Sequence, residues 1–230
     1  MKSLVPSIAI VLSLFCSLPS FSQTSLQGVI NSYSPVTSID WCNNTVAASN
    51  PIGFMVGDRV LLIQMKGVTI DDTDAASFGT ITDYANAGNF EVLTIEDINF
   101  NIVTFTETML RRYDNDGFVQ IVTIPQYTDV TIDSTLTARD WDGSSGGILA
   151  MEASGTVTFN SDINVTGKGF RGGGLLNNAG CYGAGAGYDG YRCAEADECG
   201  AEKGEGIIGD VSGIESVSYT HLTLPTMRTV

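Results

Sequence analysis

Residues 129–138 read DVTIDSTLTA, and a similar rhythm returns in GTVTFN (155–160) and DINVTG (162–167). In each stretch apolar residues, many of them β-branched, fall at alternate positions, which is the pattern of a strand with one buried face. The stretches are short, and Asp, Ser, Asn and Gly, which favour turns, separate them. Short strands that each present one face to a shared interior predict the rungs of a β-solenoid over residues 129–166, with a second small sandwich as the alternative.

The preceding region, residues 23–128, also consists of strand patterns. RVLLIQMKG (59–67) is a near-continuous apolar run that ends at glycine, as expected for a strand buried on both faces. NFEVLTIEDI (89–98) and NIVTFT (101–106) are rich in β-branched and aromatic residues, and Asn99–Asn101 is the expected hairpin turn between them. No segment shows three turns of helical periodicity. We therefore predict an all-β chain, in which a β-sandwich or barrel-like region precedes the solenoid-like strands.

Glycine dominates the next region, residues 167–216. Of the 26 glycines in the chain, 19 lie between Gly143 and Gly213, a density that cannot by itself build an apolar core. Tightly packed turns, a polyglycine-type sheet and a flexible span are all compatible with this composition. The motif GKGFRG (167–172) matches G-x-G-x-x-G, but the glycines after it cannot form the helix that a dinucleotide site needs. We interpret it as a glycine turn.

The N-terminal residues 1–22 have the features of a secretory signal peptide. Lys2 supplies a positive start, residues 8–15 are apolar, and Ser20 and Ser22 are small residues suited to cleavage before Gln23. The apolar run is shorter than the roughly 20 residues that span a bilayer. We therefore expect an exported protein with no membrane insertion after cleavage.

The C-terminal residues 217–230 differ from the rest of the chain. VSYTHLTLPT (217–226) resembles the translation of a transposase adapter used to prepare sequencing libraries, with a native edge strand as the alternative. We expect these residues to be adapter-derived and the natural chain to continue past Ser216. The segment contains His221, the only histidine. Residues 23–216 then have no imidazole for a Ser–His or Cys–His nucleophile or for a zinc site.

The charge of the chain is strongly acidic. The two end segments contain Lys2 and Arg228 but no acidic residue, so residues 23–216 carry 26 acidic and nine basic side chains, a formal net charge of −17. Nucleic acids and anionic lipids are bound through clustered Lys and Arg, so we expect neither as a partner.

Four cysteines remain after residue 22: Cys42, Cys181, Cys193 and Cys199. An even number in an exported protein predicts disulfides, and at least one local bridge is expected among the last three. Their spacing lacks the C-x-x-C pairs of a zinc site.

Two short motifs place aspartates around a glycine turn. YDNDGF (113–118) contains Asp114 and Asp116, and RDWDGS (139–144) contains Asp140 and Asp142. Hard oxygen ligands in this arrangement suit Ca²⁺, yet Asp-Gly is also a common turn signal, and we favour the plain turn. Asp140 and Asp142 are also, by residue type alone, candidates for a glycosidase carboxylate pair. No catalytic or cofactor-binding residue is predicted.

Three segments resemble one protein family: GFMVGDRVLLIQMKGVTID (53–71), SFGTITDYANAGNFEVLTI (77–95) and WDGSSGGILAMEASGTVTFNSDINVTGKGFRGG (141–173). They are similar to the N-terminal region of large secreted surface proteins of Bacteroidota, which typically end in a gliding motility-associated, type IX secretion sorting domain. The resemblance implies an adhesin-like structural or interaction protein at the outer surface of a Gram-negative bacterium. It implies surface glycans or other cell-surface proteins as partners, and no enzymatic activity. The alternative is an exported carbohydrate-active enzyme or glycan-binding module on a β-solenoid.

Overall fold

The computed structural model describes residues 24–71, 73, 75–171 and 205–208, and these residues form an all-β structure. Their only helical element is a single 3₁₀ turn, Asn115–Gly117. The predicted fold class is therefore confirmed. The signal segment, Cys181, Cys193, Cys199 and His221 lie outside the described residues. Within the described ranges, no helix has the length and apolarity needed to cross a membrane.

Six strands form an antiparallel barrel. They are β2 (Tyr33–Asp40), β3 (Thr45–Ala48), β4 (Arg59–Gln64), β7 (Phe90–Asn99), β8 (Ile102–Phe105) and β9 (Val119–Thr123). They close in the order β2–β3–β8–β7–β4–β9. The expected turn between β7 and β8 is present, and β5 (Thr69–Ile70) and β6 (Ile81–Asp83) form a separate two-stranded ribbon. Of the two predicted architectures for this region, the barrel is the one observed.

Strand β4 shows how the barrel core is built. Val60, Leu62 and Gln64 point inward and are fully buried, whereas the residues between them are half-exposed. The prediction that this segment is buried on both faces is therefore wrong, because a barrel strand has only one inner face. The outer positions carry Leu61 and Ile63, which made the sequence look continuously apolar.

The remaining strands run parallel, as solenoid rungs do. They are β1 (Thr24–Val29), β10 (Gln126–Tyr127), β11 (Val130–Thr137), β12 (Glu152–Ala153) and β13 (Val157–Phe159). Strand β11 lies between β1 and β13, and β10 pairs with β12. Val130 pairs with Val157 and Leu136 with Ile163, so paired residues lie 27 positions apart. One circuit of the solenoid therefore takes about 27 residues.

The barrel is inserted between the first two rungs. Thr24 of β1 pairs with Val130 of β11, while all six barrel strands lie between them in the sequence. Leu26 is buried in the same apolar cluster as Val130 and Leu136. The predicted boundary at 128/129 groups β1 with the barrel region, whereas the structure pairs it with the solenoid.

Hydrogen bonds join the barrel to the second solenoid circuit, which runs from the start of β11 to the start of β13. The Asn31 side chain donates to the carbonyl oxygens of Thr123 (2.7 Å) and Ala150 (2.6 Å). The buried Gln120 side chain pairs with the backbone of Gly146 through both its amide nitrogen (3.1 Å) and its oxygen (2.8 Å). Gly146 has a φ of +110°, and a Cβ there would lie 2.3 Å from the Asp140 carbonyl oxygen. Glycine is thus required where the solenoid approaches the barrel.

Equivalent positions in successive rungs differ sharply in exposure. Ile132 is fully buried, whereas its partner Phe159 in β13 is 60% exposed. Leu136 is also fully buried, whereas Ile163 is 43% exposed. The rung that contains Phe159 and Ile163 is thus also apolar, but within the described part of the chain no further rung packs over it.

We expect Ile132→Ala to lower the free energy of unfolding by about 2–5 kcal/mol, because it leaves a cavity in the core. Phe159→Ala, one rung further, should cost less than about 1 kcal/mol because most of that ring is in solvent. Urea denaturation of both variants measures the difference. Equal losses would contradict the burial difference between the two rungs.

Candidate functional site

An open groove of about 700 Å³ runs along one side of the solenoid. It is lined by two stacked tripeptides, Gln126–Thr128 and Glu152–Ser154. Parallel pairing places Gln126 beside Glu152 and Tyr127 beside Ala153. Backbone hydrogen bonds from Glu152 to the Pro125 carbonyl oxygen (3.0 Å) and from Ser154 to that of Tyr127 (3.0 Å) fix the register. The groove is therefore lined by side chains held on a regular backbone.

The Glu152 carboxylate is oriented by two donors. Its Oε2 accepts a hydrogen bond from Gln126 Nε2 at 2.8 Å and lies 2.9 Å from Arg59 NH1. Arg59 comes from β4, so this ion pair also connects the barrel with the wall of the groove. Glu152 Oε1 accepts no hydrogen bond from the part of the chain that the structure describes. One carboxylate oxygen thus positions the side chain while the other is available to a ligand.

Tyr127 is the aromatic residue among those that line the groove. It is half-buried against the cluster of Leu26, Val130 and Ile132, and this burial raises the pKa of its phenol. The phenol therefore remains neutral at physiological pH.

The two predicted aspartate motifs meet at a second, smaller cavity of about 300 Å³. Asn115 and Asp116 from the first motif and Ser144 from the second line it, together with the Pro35–Thr37 segment of β2. The sequence did not indicate that these turns are neighbours. The two motifs meet because Gln120 of β9, which follows the first motif, is hydrogen-bonded to Gly146, which follows the second motif.

Asp142 is used by its own turn. Its Oδ1 accepts hydrogen bonds from the backbone N–H groups of Ser144 (2.9 Å) and Ser145 (2.9 Å) and from the Ser144 hydroxyl (2.8 Å). Burial favours the neutral acid, but these hydrogen bonds and the Arg139 guanidinium outweigh it, and the pKa of Asp142 is lowered. The residue therefore acts as a turn-forming carboxylate.

The other three candidate aspartates also differ in their surroundings. Asp140 forms an ion pair with Lys168 of the GKGFRG motif. Asp114 accepts a hydrogen bond from Asn86 Nδ2 at 3.0 Å. Asp116 accepts none from the described part of the chain. Over those same residues, no group of three or more His, Cys, Asp or Glu side chains is arranged to hold a metal ion. The plain turn therefore stays the prediction for both motifs, and calcium binding, the alternative, is untested.

A buried lysine forms a cluster that sequence reasoning missed. Lys66 is 7% exposed, and its Nζ lies 4.6 Å from the ring centroid of Phe118, 5.8 Å from Trp141 and 5.4 Å from Phe170. Cation–π attraction of this kind is strongest where the ammonium is desolvated. The Lys66 cluster therefore joins the barrel, the 3₁₀ turn and the GKGFRG motif.

Glu205 completes the Lys66 cluster from a distant part of the sequence. Its Oε1 lies 2.6 Å from Arg171 NH2 and 3.4 Å from Lys66 Nζ, and its Oε2 accepts the Arg171 N–H at 3.0 Å. Side-chain and backbone hydrogen bonds from Arg171, together with the two positive charges, lower the pKa of Glu205 to about 2. Ile207 also accepts backbone hydrogen bonds from Gly67 and Val68. Residues 205–208 are thus attached to the barrel and to Arg171, which follows β13 in the sequence.

Cys42 is exposed and forms no disulfide with any residue that the structure describes. Its proposed partners Cys181, Cys193 and Cys199 lie outside the described residues, so the disulfide prediction is untested. Within GKGFRG, Phe170 packs edge-to-face on Trp141, with the ring centroids 5.4 Å apart, and Lys168 and Arg171 form ion pairs. The described part of this motif serves the packing of the turn.

The sequence contains a short repeat that corresponds to one solenoid circuit and that the sequence analysis did not identify. VTIDSTL (130–136) and VTFNSDI (157–163) share Val, Thr and Ser at equivalent positions, 27 residues apart. Comparison at this offset also places Asp133 opposite Asn160, and these two side chains are hydrogen-bonded at 2.8 Å. Nothing comparable points to the Lys66 cluster, whose members come from five separate segments.

Neither a protein-family model nor a curated protein matches the chain. Among solved structures, it aligns with the Gp54 tailspike of Acinetobacter baumannii bacteriophage AP22, determined in complex with A. baumannii capsular saccharide, at 11% identity and a TM-score of 0.30. It also aligns with the tailspike protein gp49 from Pseudomonas phage LKA1, at 14% identity and a TM-score of 0.28. The alignments cover 60% and 64% of this chain but only 24% of each tailspike. At these TM-scores they carry no argument about function.

We expect Asp142→Ala to lower the free energy of unfolding by about 1–2 kcal/mol, because the turn loses its side-chain acceptor. The matched variant Asp116→Ala should change it by less than about 0.5 kcal/mol. Thermal and urea midpoints with and without millimolar calcium distinguish the two interpretations. A calcium-dependent rise in midpoint that disappears in Asp142→Ala would contradict the plain turn.

The pKa of Glu205 predicts a defined acid response. A carboxylate with a folded-state pKa of about 2 and an ordinary value of 4.5 contributes stability above pH 4.5 that is lost as the pH falls towards 2. Glu205→Gln should therefore cost about 1–2 kcal/mol at neutral pH and much less at pH 2. Urea midpoints of both proteins between these pH values measure this convergence, and a constant difference would exclude it.

Proposed function

We propose that this chain is part of an exported, adhesin-like surface protein, and that the barrel and solenoid form a non-catalytic module that binds or presents other molecules. The observation that carries the proposal is the state of the candidate carboxylates. Asp142 is held by its own turn, Asp140 by Lys168 and Glu152 by Arg59 and Gln126. Each of them has a partner within the protein that holds its side chain in place, whereas a glycosidase needs two facing carboxylates positioned for a scissile bond.

The rigid connection between the barrel and the solenoid supports a structural role. Asn31, the Gln120–Gly146 pair and the Arg59–Glu152 ion pair all cross between the two parts. A module fixed in this way can hold a binding surface at a constant orientation on a longer surface protein. The acidic charge and the signal-like N-terminus favour an exterior location, at the surface of a Gram-negative cell. The resemblance to type IX-sorted Bacteroidota surface proteins favours the same location.

Glycan binding is the part of the alternative function that a specific observation favours. The groove along β10 and β12 is open, of ligand size and lined by hydrogen-bonding side chains. Surface glycans are therefore the partner class that we place first, ahead of other cell-surface proteins. Enzymatic turnover of such a glycan is not part of the proposal.

The proposal predicts that an antibody raised against residues 24–171 labels intact cells of the source organism. Brief protease treatment of those cells should remove the signal while a cytoplasmic marker survives, because the module lies outside the outer membrane. The purified chain should release no reducing sugar from glycans, and Asp140→Asn with Asp142→Asn should leave that result unchanged. Labelling only after lysis would refute the location. Glycan cleavage lost in the double variant would refute the absence of catalysis.

A further inference from the structure

We propose that the groove along β10 and β12 is a binding site for a neutral, hydroxyl-rich saccharide chain, with Glu152 and Gln126 as its principal contacts. This inference names the ligand class of the proposed binding module and rests on that function only for the ligand's biological source. The site itself can be tested on purified protein.

The size and rigidity of the groove suit a short polymer segment. Its volume of about 700 Å³ lies within the range of roughly 300–1,000 Å³ typical of small-molecule sites. Its lining is formed by two adjacent parallel strands, β10 and β12, whose side chains repeat at the strand spacing of about 4.8 Å. Residues on such paired strands lose little freedom when a ligand binds, because the backbone already fixes them.

The charge of the groove favours a neutral ligand. Glu152 is the only carboxylate among the described residues that line the groove, and Arg59 balances it at 2.9 Å. The other groups that face the groove are an amide, two hydroxyls and a phenol. The chain as a whole carries a formal net charge of −15, which repels anions. A polyanion would therefore meet an unfavourable field without a free cation in the groove to offset it.

The hydrogen-bonding groups match the hydroxyls of a sugar. Glu152 Oε1 is an available acceptor, and its direction is set because Oε2 is held by Gln126 and Arg59. Gln126 adds a carbonyl acceptor, while Thr128, Ser154 and the Tyr127 phenol can donate or accept. Each sugar hydroxyl can likewise donate and accept, so a polyhydroxylated ligand can satisfy this mixed set.

The apolar part of the groove is too small for a lipid or an apolar peptide. Ala153 and the half-buried Tyr127 ring are its main apolar surface. An aromatic ring with a polar hydroxyl suits ligands that have both C–H faces and hydroxyl edges. This combination of one ring and several polar groups distinguishes the groove from the exposed apolar rung around Phe159.

The test is a titration of the purified full chain, followed by amide chemical shifts and calorimetry. The probes are neutral hexasaccharides of the α-glucan, β-glucan, xylan and mannan classes, with a hexagalacturonate as the anionic counterpart. We expect at least one neutral probe to bind, with shift changes centred on Gln126–Thr128 and Glu152–Ser154. Binding of the anionic probe should be weaker or absent.

Two substitutions test the contacts. Glu152→Gln keeps the side-chain shape but removes the charged acceptor, and it should weaken binding about tenfold or more. Glu96→Gln, an exposed residue of β7 away from the groove, is the matched control and should leave the affinity unchanged. Tyr127→Phe, which keeps the ring packed, should weaken binding less than Glu152→Gln does.

The inference is overturned if no neutral probe binds, if the anionic probe binds more tightly, or if the shifts centre on the Asp116–Ser144 cavity. It is also overturned if Glu152→Gln and Glu96→Gln bind equally well. Saccharide binding by purified protein together with an intracellular location would leave this inference intact and refute the proposed function. A surface location without saccharide binding would do the reverse.

Discussion

The parallel pairing of β11, with β1 on one edge and β13 on the other, is the constraint on which the rest of the structure depends. It sets a circuit of about 27 residues, so that Val130 lies on Val157 and Leu136 on Ile163. It also places Val130, which follows the barrel in the sequence, beside Thr24, which precedes the barrel. Because the chain leaves and re-enters the solenoid at adjacent rungs, the barrel must close with its two ends near one another.

The functional surfaces follow from that arrangement. The groove exists because the same circuit that pairs Val130 with Val157 also pairs Gln126 with Glu152. Arg59 reaches Glu152 only because β4 of the barrel packs beside the second circuit. The groove is therefore a composite feature, with its walls in the solenoid and its charge balance in the barrel. The Lys66 cluster is also composite, since its three rings come from the 3₁₀ turn, the Asp142 turn and the GKGFRG motif.

The candidate aspartates show why residue type alone is a weak guide to chemistry. Asp140 and Asp142 are two positions apart, yet one pairs with Lys168 and the other accepts hydrogen bonds from its own turn. Asp142 is an exposed residue, and the hydrogen bonds that it accepts lower its pKa, because several donors to the charged form outweigh the desolvation of the carboxylate. The sequence did not indicate a functional role for Glu152, because this residue belongs to no recognisable motif. Its significance comes from Gln126, 26 residues away, and from Arg59, 93 residues away.

The all-β class, the positions of most long strands and a change of pattern near residue 129, just after the last barrel strand, can be predicted from the sequence. These features depend on alternation and turn residues, which act over a few positions and can be recognised locally. Closure of the first region as a barrel and the pairing of β1 with the solenoid become visible only in the tertiary structure. The same is true of the partial exposure of the residues on the outer face of β4. The tertiary structure also decided which side chains form the groove and the Lys66 cluster. Such features depend on pairings between residues up to 139 positions apart, such as Lys66 and Glu205. Local patterns do not specify such partners, because many strands share the same alternation and only packing and register select among them.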